Sequence, residues 1–123
     1  MEGNGTSASA NGSQHDISVI KVKGYLDLIT AEELDRAISS VLKTDCFRII
    51  VDLKEVDYIC SSGWGVFLGS IKQVRENGGD LKLAHMKPDV YEVYRVLEFF
   101  WFLKSYETIE AAAADFDKDP EPV

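Results

Sequence analysis

Short apolar runs typical of buried strands alternate with helix-like segments along this chain. ISVIKVK at 17–23 is rich in β-branched residues and ends at Gly24, FRIIVDL at 47–53 is a nearly continuous apolar run, and Leu81 and Leu83 alternate in a third. A strand that is apolar on both faces has to be covered on both, as in a parallel sheet between helices. Since parallel neighbours need a crossover helix, the pattern predicts an α/β fold with a mixed, mainly parallel sheet of four to five strands and about four helices.

Four segments have the spacing of amphipathic helices. Thr30 and Glu33 form a T-x-x-E capping box at the start of the first, and Asn77-Gly78-Gly79 ends the second. Pro88 suits the first position of the third. FFWFL at 99–103 is predicted mainly as core strand, with the alternative that part of it is an exposed contact patch. The inward faces predicted for the four helices are Leu34, Ala37, Ile38, Val41 and Leu42, with Ile29 stapled onto Leu34; Val66, Phe67, Ile71 and Val74; Val90, Tyr94 and Leu97; and Ile109, Ala112, Ala113 and Phe116.

The ends of the chain differ in composition from its middle. Residues 1–16 are almost entirely small and polar, and DFDKDPEPV at 115–123 is acidic and contains two prolines. Segments of this kind bury too little apolar surface to offset the chain entropy lost on ordering. We therefore predict a disordered leader over 1–16, a folded domain over 17–116 and an acidic flexible tail over 117–123.

The balance of charge and apolar residues excludes several classes of protein. The formal net charge is −8, which disfavours nucleic acid and anionic lipid as partners, and no basic stripe offsets it. No apolar run approaches the roughly 20 residues of a membrane-spanning helix, and no signal peptide is evident. Cys46 and Cys60 lack a C-x-x-C pairing, so reduced thiols are expected. A cytoplasmic protein without membrane insertion is predicted.

Paired serines at a strand-to-helix junction are the most informative local feature. Ser61 and Ser62 follow the apolar strand and a short loop, at a predicted helix start where backbone N–H groups are free. Either serine suits an N-cap, which by itself accounts for the residue type. The alternative is a reactive or modified serine. No G-x-S-x-G motif is present, and the histidines His15 and His85 are not placed to activate a hydroxyl.

Other catalytic and cofactor chemistry is not indicated. Cys46, Cys60 and His85 lack metal-ligand spacing, and no glycine-rich loop leads into Gly-Lys-Ser/Thr, so neither a metal nor a nucleotide cofactor is expected. The chain is predicted not to be an enzyme. Carboxylates that could act as an acid–base pair are more simply turn caps or solvated groups; they are Asp27, Asp52, Glu55 and Asp57.

Several motifs, taken in order, resemble the STAS domain family of sulphate-transporter domains and bacterial anti-sigma factor antagonists. The motifs are GYLD at 24–27, TAEEL at 30–34, IVDL at 50–53, SSGWGV at 61–66, GGDLKL at 78–83 and the helix at 107–114. The resemblance implies a single STAS-like domain. In antagonists of this family, the second serine of a D-S-S-G-[LVI]-G motif is phosphorylated by an anti-sigma factor that is also a serine kinase, and a phosphatase restores it.

Carried onto this chain, the resemblance makes Ser62 the phosphorylated residue, with Ser61 the less favoured one. It implies binding of an anti-sigma factor kinase while Ser62 is unmodified, and action of a cognate phosphatase. The predicted partner-binding residues are Asp27, Cys60, Ser61, Ser62, Gly63, Trp64 and Gly65. Two positions depart from the motif, because Cys60 stands in place of the aspartate and Trp64 in place of a small aliphatic residue.

Two other functions remain as alternatives. A STAS scaffold or transport-accessory subunit would use the same surface without phosphorylation, in which case Cys60 records loss of the kinase site. Direct nucleotide binding is weaker, because the phosphate-binding loop is missing.

Overall fold

The computed structural model describes residues 6–10 and 16–118. Its strands are β1 (Thr6–Ala10), β2 (Ser18–Leu26), β3 (Arg48–Ile59), β4 (Asp80–Ala84) and β5 (Lys104–Tyr106). Its helices are α1 (Leu28–Leu42), α2 (Ser61–Glu76), α3 (Pro88–Val96) and α4 (Ile109–Lys118), with a 3₁₀ helix over Phe99–Trp101. The strands form one sheet in chain order, with β2 to β5 parallel and β1 antiparallel to β2. The predicted fold class is confirmed.

The central strand β3 is covered on both faces, as its apolar run predicts. Ile49 and Val51 belong to the core beneath α1 and α2, whereas Ile50 belongs to a second cluster with Ala112 and Phe116 of α4. All three β3 residues are fully buried. Because side chains alternate along a strand, a continuous apolar run contributes core residues to both faces of the sheet, where the two layers of helices cover them.

The second layer also buries a charged group. Lys82 of β4 is fully buried, with its Nζ 3.3 Å from a carboxylate oxygen of Asp115 and 4.5 Å from the ring centre of Phe116. The hydroxyl of Tyr106 donates to the same carboxylate of Asp115. These hydrogen bonds hold the pKa of Asp115 below its ordinary value, the Tyr106 hydroxyl being the larger cause and Lys82 adding to it. These contacts attach α4 to the sheet. They also pair the buried ammonium group of Lys82 with the carboxylate of Asp115.

Both ends of the chain depart from the predicted boundaries. Thr6–Ala10 forms β1, inside the segment predicted to be a disordered leader; residues 1–5 and 11–15 lie outside the described part. An edge strand can form through backbone hydrogen bonds to one neighbour, which do not depend on the type of side chain. Helix α4 continues to Lys118, beyond the predicted start of the tail at 117, and residues 119–123 lie outside the described part.

Two strands are longer than their sequence pattern predicts. Strand β2 continues through Gly24, whose φ of +75° accompanies a shift in the register between β2 and β3. Glycine adopts this backbone conformation without the steric cost that a Cβ brings, so the strand bulges there and does not end. Strand β3 extends to Ile59, and the predicted loop before the serines is absent.

The later helices show a second group of differences. Pro88 is in the first turn of α3 as predicted, and Val90 and Tyr94 are buried, but Leu97 follows the last residue of the helix and is exposed. The prediction of a core strand over 99–103 was wrong, because this segment turns into the 3₁₀ helix. No helix in the described part of the chain has both the length and the apolar character that crossing a membrane would require.

Candidate functional site

Strands β2 and β3 end at the same edge of the sheet, and helices α1 and α2 begin there. Leu26 and Ile59, the last residues of the two strands, are register partners. One residue later, the backbone N–H of Cys60 donates to the carbonyl of Leu26 over 2.9 Å. The two helices also pack against each other. This arrangement brings two helix N-termini, each with the positive end of its dipole, to one edge of the sheet.

The paired serines occupy the first turn of α2. The N-cap is Cys60, whose carbonyl accepts from the N–H of Gly63 at 3.0 Å and of Trp64 at 3.2 Å. The prediction that Ser61 or Ser62 caps this helix was therefore wrong: they are its first two residues. Within the described residues, the Cys60 side chain makes no capping hydrogen bond, so the first turn of α2 has no acidic or hydroxyl cap.

Ser61 and Ser62 differ in exposure. Ser61 is exposed, whereas Ser62 is half-buried and lines a groove of about 460 Å³ between α1 and α2. Gly65 is exposed on the same groove, one turn further along the helix. A phosphate on Ser62 would lie at a helix N-terminus, where the backbone dipoles favour a negative charge.

Asp27, predicted to contact a partner, caps helix α1. Its carboxylate accepts hydrogen bonds from the N–H groups of Ile29 and Thr30, both at 3.0 Å, and Thr30 Oγ1 accepts from the N–H of Asp27 at 2.9 Å. These bonds, chiefly the one from the Thr30 backbone, hold the pKa of Asp27 below its ordinary value. The predicted cap of Thr30 with Glu33 was wrong, because the helix begins earlier. Asp27 is exposed, but its carboxylate is already engaged in this local structure.

Two of the predicted contact residues are inside the protein. Trp64 is only 4% exposed and packs between Phe67, Tyr94 and Phe99. Gly63 is buried against Leu26 and Ile59: a Cβ at this position would lie 2.8 Å from atoms of both side chains. We therefore remove Gly63 and Trp64 from the predicted surface; Ser61, Ser62, Gly65, Cys60 and Asp27 stay accessible there.

Exposed apolar side chains lie near the ends of β2 and β3 and at the start of α1, and they were not identified from the sequence. They are Tyr25, Leu28, Ile29 and Tyr58, named here the strand-end patch. The Tyr25 and Tyr58 rings lie 6.3 Å apart, on register partners of β2 and β3. Ile29, predicted to staple onto Leu34, is instead 69% exposed. In the sequence, the apolar pair at 28–29 could have indicated this patch, because it precedes the residues predicted for the inward face of α1.

Several of the other carboxylates and cysteines named in the sequence analysis make local contacts in the described part of the chain. Asp52 accepts from the N–H of Lys54 at 3.0 Å, and Asp57 pairs with Lys87 at 2.5 Å on the surface. Both cysteines are free, and buried Cys46 accepts a hydrogen bond from Ser18 at 3.2 Å. Among residues 6–10 and 16–118, no three His, Cys, Asp or Glu side chains are grouped to hold a metal ion.

Known proteins are similar to this chain in both sequence and fold. The sequence model of the STAS domain matches residues 10–112. BtrV of Bordetella bronchiseptica, a candidate anti-sigma factor antagonist, is 34% identical over 95 residues, which cover 77% of this chain and 82% of BtrV.

Solved structures agree with the sequence match. A candidate anti-sigma factor antagonist from Thermotoga maritima superposes with a TM-score of 0.79 at 19% identity, covering 89% of this chain and 94% of that one. The unphosphorylated anti-sigma factor antagonist SpoIIAA gives a TM-score of 0.67 at 20% identity, with 93% and 100% covered, and its phosphorylated form from Bacillus gives 0.65 at 20% identity, with 89% and 99% covered. At these identities the structures establish a common fold. The family match over most of the chain, together with this fold, shows that the chain belongs to the STAS domain family.

Proposed function

We propose that this chain is an anti-sigma factor antagonist that acts in the cytoplasm as a binding protein and not as an enzyme. In its unmodified state it binds an anti-sigma factor that is also a serine kinase, and so releases a sigma factor. Phosphorylation of Ser62 ends this binding, and a cognate phosphatase restores it. The observation that carries the proposal is the position of Ser62 in the first turn of α2, at the edge of the sheet where the strand-end patch also lies.

The neighbouring apolar groups explain how a phosphate could act. Tyr25, Leu28 and Ile29 expose apolar surface at the sheet edge where α2 begins. A partner that covers this surface also takes the adjacent serines out of water. A phosphate would add about −1.5 to −2 charges there, and burying that charge without a paired cation is costly. Phosphorylation would therefore oppose binding of the partner while leaving the fold intact.

The relatives support the same class of function. BtrV is named as a candidate anti-sigma factor antagonist, and SpoIIAA has been solved in unphosphorylated and phosphorylated forms. Serines are present here at the start of α2, where we propose the acceptor, but Cys60 replaces the acidic residue expected before them. A kinase that recognises this chain would thus have to accept a thiol at that position.

A phosphorylation assay tests the proposal directly. The full chain is incubated with ATP and the anti-sigma kinase encoded closest to it, and the modified residue is located by peptide mass spectrometry. We expect one phosphate, on Ser62, that disappears in Ser62→Ala and persists in the matched variant Ser61→Ala. An unmodified chain that still binds the kinase would overturn the switch and favour the constitutive scaffold.

A further inference from the structure

A second apolar surface lies away from the serines, at the end of α3 and along the 3₁₀ helix. Five large apolar side chains of residues 96–102 are exposed, by between 46% for Phe100 and 72% for Trp101. We name this surface the 96–102 ridge; it consists of Val96, Leu97, Phe100, Trp101 and Phe102. We propose that the ridge is the contact through which two copies of this chain form a symmetric dimer.

The backbone holds the ridge side chains outward. Glu98 adopts a φ of +59°, a left-handed conformation that a residue with a Cβ adopts only at a cost, and it turns the chain from α3 into the 3₁₀ helix. The carbonyl of Phe102 accepts a hydrogen bond from Arg75 at 2.6 Å, and the next carbonyl, of Leu103, accepts one from Tyr94 at 2.5 Å. These two bonds fix the C-terminal end of the segment. Its start is fixed by the N–H groups of Leu97 and Glu98, which donate to the carbonyls of Val93 and Arg95, so little ordering would be needed on association.

The interior already has its own aromatic residues, so the ridge is not needed to complete the core. Phe99, in the middle of the segment, packs on Trp64 with 4.7 Å between ring centres, and Leu103 is fully buried. Trp101 points away from this cluster, and its indole N–H donates to Glu98 at 3.3 Å. That bond satisfies the polar atom of Trp101 and leaves the ring face available for a partner.

The exposed area is the amount that a dimer of ordinary size requires. With full side-chain areas of roughly 150–250 Å², the exposed fractions give on the order of 500 Å² of apolar surface. A standard interface buries about 800 Å² on each partner, and about 65% of a homodimer interface is apolar, which is also close to 500 Å². The ridge therefore supplies the apolar part of one standard homodimer interface.

The charges in the segment that contains the ridge permit contact between two copies. The chain as a whole has a net charge of −8, which opposes self-association through most surfaces. Residues 87–104 instead contain three basic and three acidic side chains, and Glu92 and Arg95 pair at 2.6 Å. The six charged residues are Lys87, Arg95, Lys104, Asp89, Glu92 and Glu98. Because this segment has no net charge, two copies of it can meet in an isologous contact.

Sedimentation velocity across a concentration series tests the dimer with matched variants. Leu97→Ser changes a ridge leucine that is 56% exposed, and Leu28→Ser changes a leucine of the strand-end patch that is 63% exposed. We expect concentration-dependent dimers of the wild type, at least a tenfold weaker dimer for Leu97→Ser, and an unchanged dimer for Leu28→Ser. Circular dichroism confirms that each variant is folded. A wild type that is monomeric up to millimolar concentration overturns the proposal, as does a dimer that only Leu28→Ser dissociates.

Charge exchange at one position tests the symmetry of the contact. Trp101→Glu and Trp101→Lys should each be monomeric, because a like charge from each copy would be buried in the contact. An equimolar mixture of the two should form a heterodimer, since opposite charges then meet across the two-fold axis. Failure of the mixture to associate would contradict the isologous arrangement. None of these variants alters Ser62, so loss of the dimer and loss of phosphorylation can be told apart.

Discussion

The indole of Trp64 packs on the ring of Phe99, with 4.7 Å between the ring centres. Trp64 belongs to the first turns of α2, close to the serines, whereas Phe99 begins the 3₁₀ helix that bears the ridge. Tyr94 and Phe67 complete the cluster around the same indole. The start of α2 is therefore anchored to the core by a residue that the family resemblance had placed on the partner-binding surface.

The two tryptophans of the chain should differ sharply in their contribution to stability. Trp64→Ala opens a cavity in a packed aromatic cluster and should lower the free energy of unfolding by about 3–5 kcal/mol. Trp101→Ala, at an exposed position, should change it by no more than about 0.5 kcal/mol. Urea denaturation, at a concentration low enough to keep the chain monomeric, measures both. Equal losses would contradict the burial of Trp64.

Two glycines of α2 form a second matched pair. A Cβ on Gly63 would lie 2.8 Å from Leu26 and Ile59, so Gly63→Ala should destabilise the fold by about 1–3 kcal/mol. A Cβ on Gly65 would meet nothing within 4 Å, and Gly65→Ala should stabilise the helix by about 0.5–1 kcal/mol. Thermal and urea unfolding test both. A tolerated Gly63→Ala would show that α2 does not sit tightly on the strand ends.

The Asp27 cap should make stability depend on pH in the acid range. Because its hydrogen bonds lower the pKa of Asp27, the ionised carboxylate stabilises the folded state. This contribution is complete above about pH 4, the ordinary pKa of an aspartate, and is lost as the pH falls through the lowered pKa. Asp27→Ala should lower the thermal midpoint at pH 7. Asp27→Asn keeps a capping group and should differ from the wild type mainly by a shallower loss of stability in acid.

Binding to the anti-sigma factor should respond to charge at Ser62 and not to loss of its hydroxyl. Ser62→Asp should weaken the complex at least tenfold, because the carboxylate has to be desolvated beside the strand-end patch. Ser62→Ala should bind like the wild type. Isothermal titration calorimetry gives both affinities, and circular dichroism should show both variants folded, since an acidic residue in the first turn of a helix is favourable. Equal binding by Ser62→Asp and wild type would argue against the phosphate switch.

The strand-end patch should contribute to the same complex. Leu28→Ser removes an exposed apolar contact and should weaken anti-sigma factor binding about tenfold, with little change in stability. Leu97→Ser, on the ridge, is the matched control and should bind normally. Surface plasmon resonance with the immobilised anti-sigma factor compares the two. The reverse result would assign the ridge to the anti-sigma factor.

Sequence patterns predicted a helix or strand correctly where the residues of that element alone determine its structure. The apolar run of β3 gave a strand buried on both faces, and Pro88 marked the start of α3. The end of β3 was missed because Lys54 and Glu55 are consecutive exposed residues, which breaks the alternation expected of a half-buried strand. Leu97 was misassigned because periodicity does not show that Glu98 ends the helical path.

The place of the serines in the fold was predicted, but their surroundings were not. The serines do begin a helix after a buried strand, yet the cap is Cys60, a residue type outside the usual cap preferences. Burial of Trp64 depends on Tyr94 and Phe99, which lie far along the chain, and no local pattern reveals such a contact. For Asp27 the residue type predicted a capping carboxylate, which the structure confirms, whereas the contact role implied by the family resemblance stays a prediction.

Only Cys60 separates β3 from α2, and its N–H is bound to the carbonyl of Leu26. The serines that follow are thus held close to the end of the sheet, because only one residue connects β3 to α2. A phosphate added to Ser62 would therefore act chiefly by changing the charge of this surface. The rate of any response would then be set by the enzymes that add and remove the group. The domain itself would return to its earlier state once the group is removed.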